Sequence, residues 1–145
     1  QWATHTLGMM NFSMPVTVSP KVPCVKVVDI LKKNGYSQLP VVDSNGTVLG
    51  VVTEGNLSSY ILSGRVKTDD PCEKCLYKKH QTVTSQTTLG QLATIFESYP
   101  FALITSTQQS YDDQGDVSSK TVVSGIVTRI DLMNYLNSKG LFYSE

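Results

Sequence analysis

Two hydrophobic periods alternate along this chain. Val25-Lys26-Val27-Val28-Asp29-Ile30-Leu31 and Leu89-Gly90-Gln91-Leu92-Ala93-Thr94-Ile95-Phe96 carry apolar residues at helical spacing. Each is followed by a short apolar run, Leu39-Pro40-Val41-Val42 or Phe101-Ala102-Leu103-Ile104, which predicts a buried strand. A second Val/Ile-rich strand and another amphipathic helix come next in both halves. Each half therefore predicts helix, strand, strand, helix, with a short extended lead-in at 16–18 and at 82–84. Ser44-Asn45-Gly46 supplies the positive-φ chemistry of a tight hairpin turn in the first pair. The second pair is separated by a polar stretch, roughly 107–120, rich in Gln, Asp, Ser and Gly, expected to be a mobile surface loop. The fold class expected is α+β.

The halves also share a motif. Gly50-Val51-Val52-Thr53-Glu54-Gly55-Asn56-Leu57 recurs as Gly125-Ile126-Val127-Thr128-Arg129-Ile130-Asp131-Leu132, at a constant offset (125 − 50 = 75, 131 − 56 = 75), and Tyr60 and Tyr135 keep that register. Two half-buried hairpins bearing two helices each cannot cover both of their faces alone. Packing one repeat on the other about a pseudo-two-fold axis is the expected solution.

Chemically, Gly-x-x-Thr-x-x-Asp has two readings. In one it is a ligand site: the glycine admits close backbone approach and the threonine hydroxyl sits at a strand-to-helix junction. The acidic residue three positions on, on the same helix face, can accept the vicinal hydroxyls of a ribose. In the other, Thr128 and Asp131 are simply an N-terminal capping box. Recurrence at one spacing, each time after a Val/Ile strand, favours the site.

Composition narrows the function classes. Twelve basic residues balance twelve acidic ones, and the densest basic run is Lys78-Lys79-His80, so a nucleic-acid partner is not expected. No apolar stretch approaches the ~18 residues of a membrane helix. The chain begins at Gln, which suggests an excised part of a longer protein. Three cysteines, an odd number, favour a reducing compartment. Cys72-Glu73-Lys74-Cys75 has half-site spacing, but no second closely spaced pair completes a zinc site, so no metal is expected and two ordinary thiols at a short helix start are the simpler reading. No Ser/Cys–His constellation stands out, His5 and His80 have no evident partners, and no catalytic residue is assigned.

At this point the chain resembles a pair of CBS domains, a Bateman module, from about Ser13 to about Asn137. The resemblance is carried by Pro15-Val16-Thr17-Val18, Gly35-Tyr36-Ser37-Gln38-Leu39-Pro40-Val41-Val42-Asp43, Leu49-Gly50-Val51-Val52-Thr53-Glu54-Gly55-Asn56, Phe101-Ala102-Leu103 and the Gly125–Leu132 motif. It is nearest to the regulatory region of the cystathionine beta-synthases. What it implies is a non-enzymatic, cytoplasmic regulatory module with a linker at 1–12, a first repeat at 13–70 and a second at 71–145. Two clefts are implied between the repeats. The principal one would take S-adenosylmethionine between Met14, Pro15, Val16, Tyr36, Ser37, Gln38 and Leu39 on one wall and Ile126, Thr128, Ile130 and Asp131 on the other. Asp131 would hold the ribose hydroxyls, and the Tyr36 ring would face the sulfonium. Thr53 and Asn56 against Pro100, Phe101 and Ala102 would form the second cleft, weakened because Asn56 replaces the carboxylate and because Tyr77 and Phe101 are bulky. Pyridoxal phosphate would belong to an attached catalytic domain, and a homo-oligomer is implied. Alternatives left open are an AMP- or ATP-sensing module, for which Arg129 is the best placed phosphate partner, and a ligand-free pairing module.

Overall fold

The computed structural model describes residues 2–10 and 16–140. They form two compact units: 16–79 make the first, and 80–140 together with 2–10 make the second. No helix among them is long and apolar enough to cross a membrane.

In the first unit, Val18 makes a parallel bridge to Val41, the expected extended lead-in. Helix α1 (Cys24–Asn34) follows. It stops at Gly35, whose left-handed φ of 65° turns the chain so that the Tyr36 N–H donates to the Leu31 carbonyl, a glycine C-cap. Strands β1 (Gln38–Val42) and β2 (Val48–Thr53) pair antiparallel, joined by a turn in which the Asp43 carboxylate accepts from the N–H groups of Asn45 and Thr47 and Gly46 has φ 84°. Helix α2 (Glu54–Leu62) starts directly from Thr53. Val18, Cys24, Val27, Leu31, Leu39, Val41, Val52 and Leu57 form the core, with Tyr36 and Tyr60 packed at its margin. The apolar residues expected on one face of α2 divide: Leu57 is buried, whereas Leu62 is 86% exposed.

The second unit repeats the order. Strand β3 (Gln81–Val83) pairs parallel with β4 (Phe101–Tyr111), and β4 pairs antiparallel with β5 (Val117–Thr128), while helices α3 (Leu89–Ile95) and α4 (Arg129–Ser138) follow β3 and β5. Its core holds Val83, Leu89, Leu92, Phe96, Ala102, Ile104, Val127, Leu132 and Leu136.

Three expectations change. The polar stretch 107–120 is an ordered ribbon: the ladder continues to Tyr111↔Val117, closed by a turn in which the Asp112 carboxylate accepts from Gln114 and Asp116 N–H groups and Gly115 takes φ 80°. Thr, Gln, Ser, Tyr and Val are strand-compatible but exposed on both faces here, so no polar–apolar alternation marks them in the sequence. Residues within 1–12 are also more than a linker. Leu7 and Met10 are buried in the second core, and residues 5–8 pair with 85–89 through His5 O···Leu89 N (2.7 Å), Leu7 N···Thr87 O (2.8 Å) and Gly8 N···Ser85 O (2.9 Å). Finally, 71–79 belong to the first unit, because Cys72 and Cys75 lie in its core and Tyr77 pairs with Val51.

Candidate functional site

Each unit presents a strand start facing its own Thr motif. In the first, Gln38 is the cross-strand partner of Thr53, and the Ser37 carbonyl accepts from the Glu54 N–H at 2.9 Å. In the second, Phe101 is the partner of Thr128. Every unit thus holds, side by side, one wall of each expected cleft.

The Thr128–Asp131 pair is the most fully built element. Thr128 is extended at the end of β5 (φ −117°, ψ 167°) and caps α4; its Oγ1 accepts from the Asp131 N–H at 3.1 Å, while Asp131 Oδ2 accepts from the Thr128 N–H at 2.9 Å. The box reading is therefore realised, but it engages only one carboxylate oxygen. Oδ1 has no hydrogen-bond partner among the described residues, and the group is half-buried at a positive helix end. A box and a ribose acceptor are compatible in this geometry. Thr53 caps α2 in the same way, with Oγ1 3.1 Å from the Asn56 N–H, but without the reciprocal bond. Thr88 and Gln91 make a complete box on α3.

The other residues expected at the principal site divide. Ile126 is half-buried on β5, the edge strand of its sheet, two residues before Thr128 and on the same face. Ile130 is 67% exposed, Val16 and Ser37 are exposed, and Gln38 is half-buried. Leu39 is 1% exposed in the first core and sits in the ladder opposite Val52, so its side chain is not presented to a ligand. Tyr36 packs partly against that core. Met14 and Pro15 lie outside the described residues. At the second site Pro100 is exposed, whereas Phe101 and Ala102 are buried.

Gly50 has a local explanation. A Cβ there would lie 3.3 Å from the Leu76 side chain and from the Tyr77 carbonyl, and Val51 and Tyr77 exchange two backbone bonds (3.1 and 2.7 Å). The chain's own segment, rather than a bound group, makes the close approach. The corresponding edge of β5 beside Ile126 has no strand partner among the described residues.

Two relationships were not legible beforehand. Arg129 Nε donates to the Phe96 carbonyl at 2.6 Å, satisfying an orphan acceptor at the end of α3. Cys24 Sγ lies 3.8 Å from Cys75 Sγ, both fully buried. Burial pushes the Cys72 thiol up to about 11; burial and then the Cys24 hydrogen bond push Cys75 up to about 12. These are not activated thiolates, and no cluster of three or more ligating side chains occurs among the described residues.

Comparison with known proteins gives one consistent answer. The sequence pattern of the CBS domain family matches residues 12–63. Cystathionine beta-synthase of Oryctolagus cuniculus is 40% identical over 139 residues (96% of this chain, 25% of the relative), and that of Rattus norvegicus is 36% identical over 152 residues (95% and 27%). The chain spans about a quarter of the length of these relatives, in their C-terminal region. Among solved structures, the CBS domain pair of protein MJ0100 in complex with 5-methylthioadenosine and S-adenosyl-L-methionine superposes with TM-score 0.70 at 18% identity (92% of this chain, 97% of that one). CBSX2 in complex with AMP gives 0.71 at 18% (94% and 98%).

Proposed function

This chain is a CBS-domain pair, and from that premise we propose that it is a regulatory module that binds S-adenosylmethionine between its two repeats and sets the activity of an attached catalytic domain of the cystathionine beta-synthase type. The observation that carries the reading is Asp131. It is a carboxylate held by its own capping box with one oxygen left over, at the end of a sheet edge that has no strand partner among the described residues, in the repeat whose partner copy has Asn56 instead. A ribose diol needs an anionic acceptor of this kind, and an adenine edge can pair with free backbone such as that beside Ile126.

The charge pattern favours a sulfonium ligand over a nucleotide. A phosphate would need a free cation or helix N-terminus. Arg129, the nearest basic residue in sequence, is held through Nε by the Phe96 carbonyl, and the N-terminus of α4 already carries Asp131. The second cleft is proposed to be weak: Asn56 supplies no anion, and Tyr77 occupies the edge of β2 beside Val51.

Regulation on this reading is a population shift. The ligand must fit one arrangement of the repeats better than the other, because equal affinity for both moves nothing. Taking the equilibrium from ~1% to ~99% of one state needs ~5.5 kcal/mol of differential affinity. Pyridoxal phosphate would be held by the attached domain, and no residue of this chain is assigned to it. The test is calorimetric titration with S-adenosylmethionine, AMP and ATP. Heat with S-adenosylmethionine and none with the two nucleotides supports the reading; the opposite order makes the module a nucleotide sensor, and flat heats throughout leave it a pairing surface.

A further inference from the structure

We propose that Cys24 and Cys75 are a reversible oxidation site, closing under peroxide to a disulfide that staples the start of α1 to the 72–75 turn. The proposal rests on geometry and is independent of the ligand bound. Cys24 is the first residue of α1, and Cys75 ends a short 3-10 turn spanning Cys72–Cys75. Their sulfurs are in contact at 3.8 Å although 51 positions separate them in sequence. The approach is fixed by backbone on both sides: Cys24 N–H donates to the Asp70 carbonyl (2.9 Å), Cys72 N–H to Val22 (2.8 Å), and Glu73 N–H to Pro20 (3.1 Å). Cys72, which completes the C-x-x-C spacing, is directed elsewhere, its Sγ 3.4 Å from the Ser19 carbonyl and 3.7 Å from that of Pro20. The pair that reacts is therefore not the one the spacing suggests.

Because both sulfurs are fully buried, reaction follows local opening of the turn, a four-residue element followed by the exposed Lys78 and Lys79. The opened Cys75 thiolate attacks hydrogen peroxide, forming an S–O bond, breaking the O–O bond and releasing hydroxide, which takes up the proton lost by the thiol. Reclosure brings the sulfenic acid against Cys24. The Cys24 sulfur attacks, the S–S bond forms, the S–O bond breaks, and the departing hydroxide leaves as water with the Cys24 proton. Two thiols and one peroxide give one disulfide and two waters.

The experiment treats the purified chain with hydrogen peroxide, alkylates it in denaturant and maps the peptides without reduction. The expected result is a Cys24–Cys75 cross-link with Cys72 alkylated, a mass lower by about 2 Da before alkylation, and a Tm raised by about 5–10 °C that dithiothreitol reverses. Cys72→Ser keeps the cross-link and Cys24→Ser abolishes it; should Cys24→Ser fail to fold, the wild-type map alone decides. A Cys72–Cys75 link, sulfinic acid without any disulfide, or three alkylatable thiols after peroxide overturns the proposal.

Discussion

Thr128 and Asp131 hold each other: the threonine Oγ1 accepts from the aspartate N–H at 3.1 Å, and the aspartate Oδ2 accepts from the threonine N–H at 2.9 Å. One residue therefore serves the fold and, on the proposed function, the ligand, so truncating it confounds the two. The chain contains the remedy. At α3 the same box is completed by Gln91 on Thr88. Asp131→Gln is expected to keep α4 capped, with Tm within ~1 °C of wild type, while Asp131→Ala loses ~0.5–1 kcal/mol, or about 2–4 °C in Tm. Differential scanning calorimetry of the two variants checks this; equal losses contradict the box.

Arg129→Met retains the aliphatic stem and removes the donor to Phe96. The expected cost is ~1–2 kcal/mol, because a charge-assisted bond to an orphan helix carbonyl is lost. Since Nε of Arg129 is engaged there, the affinity for S-adenosylmethionine should not change. A fall in that affinity, measured by parallel titrations of variant and wild type, would show Arg129 to contact the ligand.

Alkaline pH should destabilise the first unit. Cys72 and Cys75 titrate near 11 and 12 when folded, against about 9 when exposed. Above pH 9 the unfolded chain ionises these thiols and the native one does not. Stability is therefore whole below pH 9 and is lost progressively as pH rises through 9 toward 12. Chemical denaturation at pH 7, 9 and 10 should show this decline in wild type and a shallower one in Cys75→Ala. Parallel slopes would contradict it.

Gly90 and Ala3 set how closely the N-terminal turn lies on α3. A Cβ at 90 would meet the Ala3 Cβ and carbonyl oxygen, each at 3.1 Å. Gly90→Val is expected to lift that turn, and the single tryptophan, Trp2, packed partly against the second core, reports it. Its emission should shift to the red with the fold otherwise retained. An unshifted spectrum would mean that the turn yields without detaching.

What could be read from the sequence follows from period and punctuation. The helices, buried strand starts, Asn45-Gly46 turn and Thr caps are all local signals, and the 75-residue repeat multiplied them. What could not be read is tertiary. Residues 2–10 have no hydrophobic period, and their order comes from backbone pairing with 85–89 and from burial of Leu7 and Met10. The ribbon from 107 to 120 is exposed on both faces and shows no polar–apolar alternation, and so resembles a loop. Cys24 meets Cys75 because the 72–75 turn folds back onto the chain before α1, which no spacing announces. Of the candidate site, Thr128 and Asp131 were legible as a pair and Leu39 was misleading. An apolar residue in a motif gives no sign of whether it faces a ligand or the core, and Leu39 faces the core.

The most direct measurement is calorimetric titration of Asp131→Gln with S-adenosylmethionine beside the wild type, after the two have been shown to melt together. Loss of one charge-assisted bond to a diol, ~1.5–3 kcal/mol, predicts affinity at least ~10-fold weaker in the variant. Equal affinities in two equally stable proteins would mean that the free oxygen of Asp131 holds no ribose.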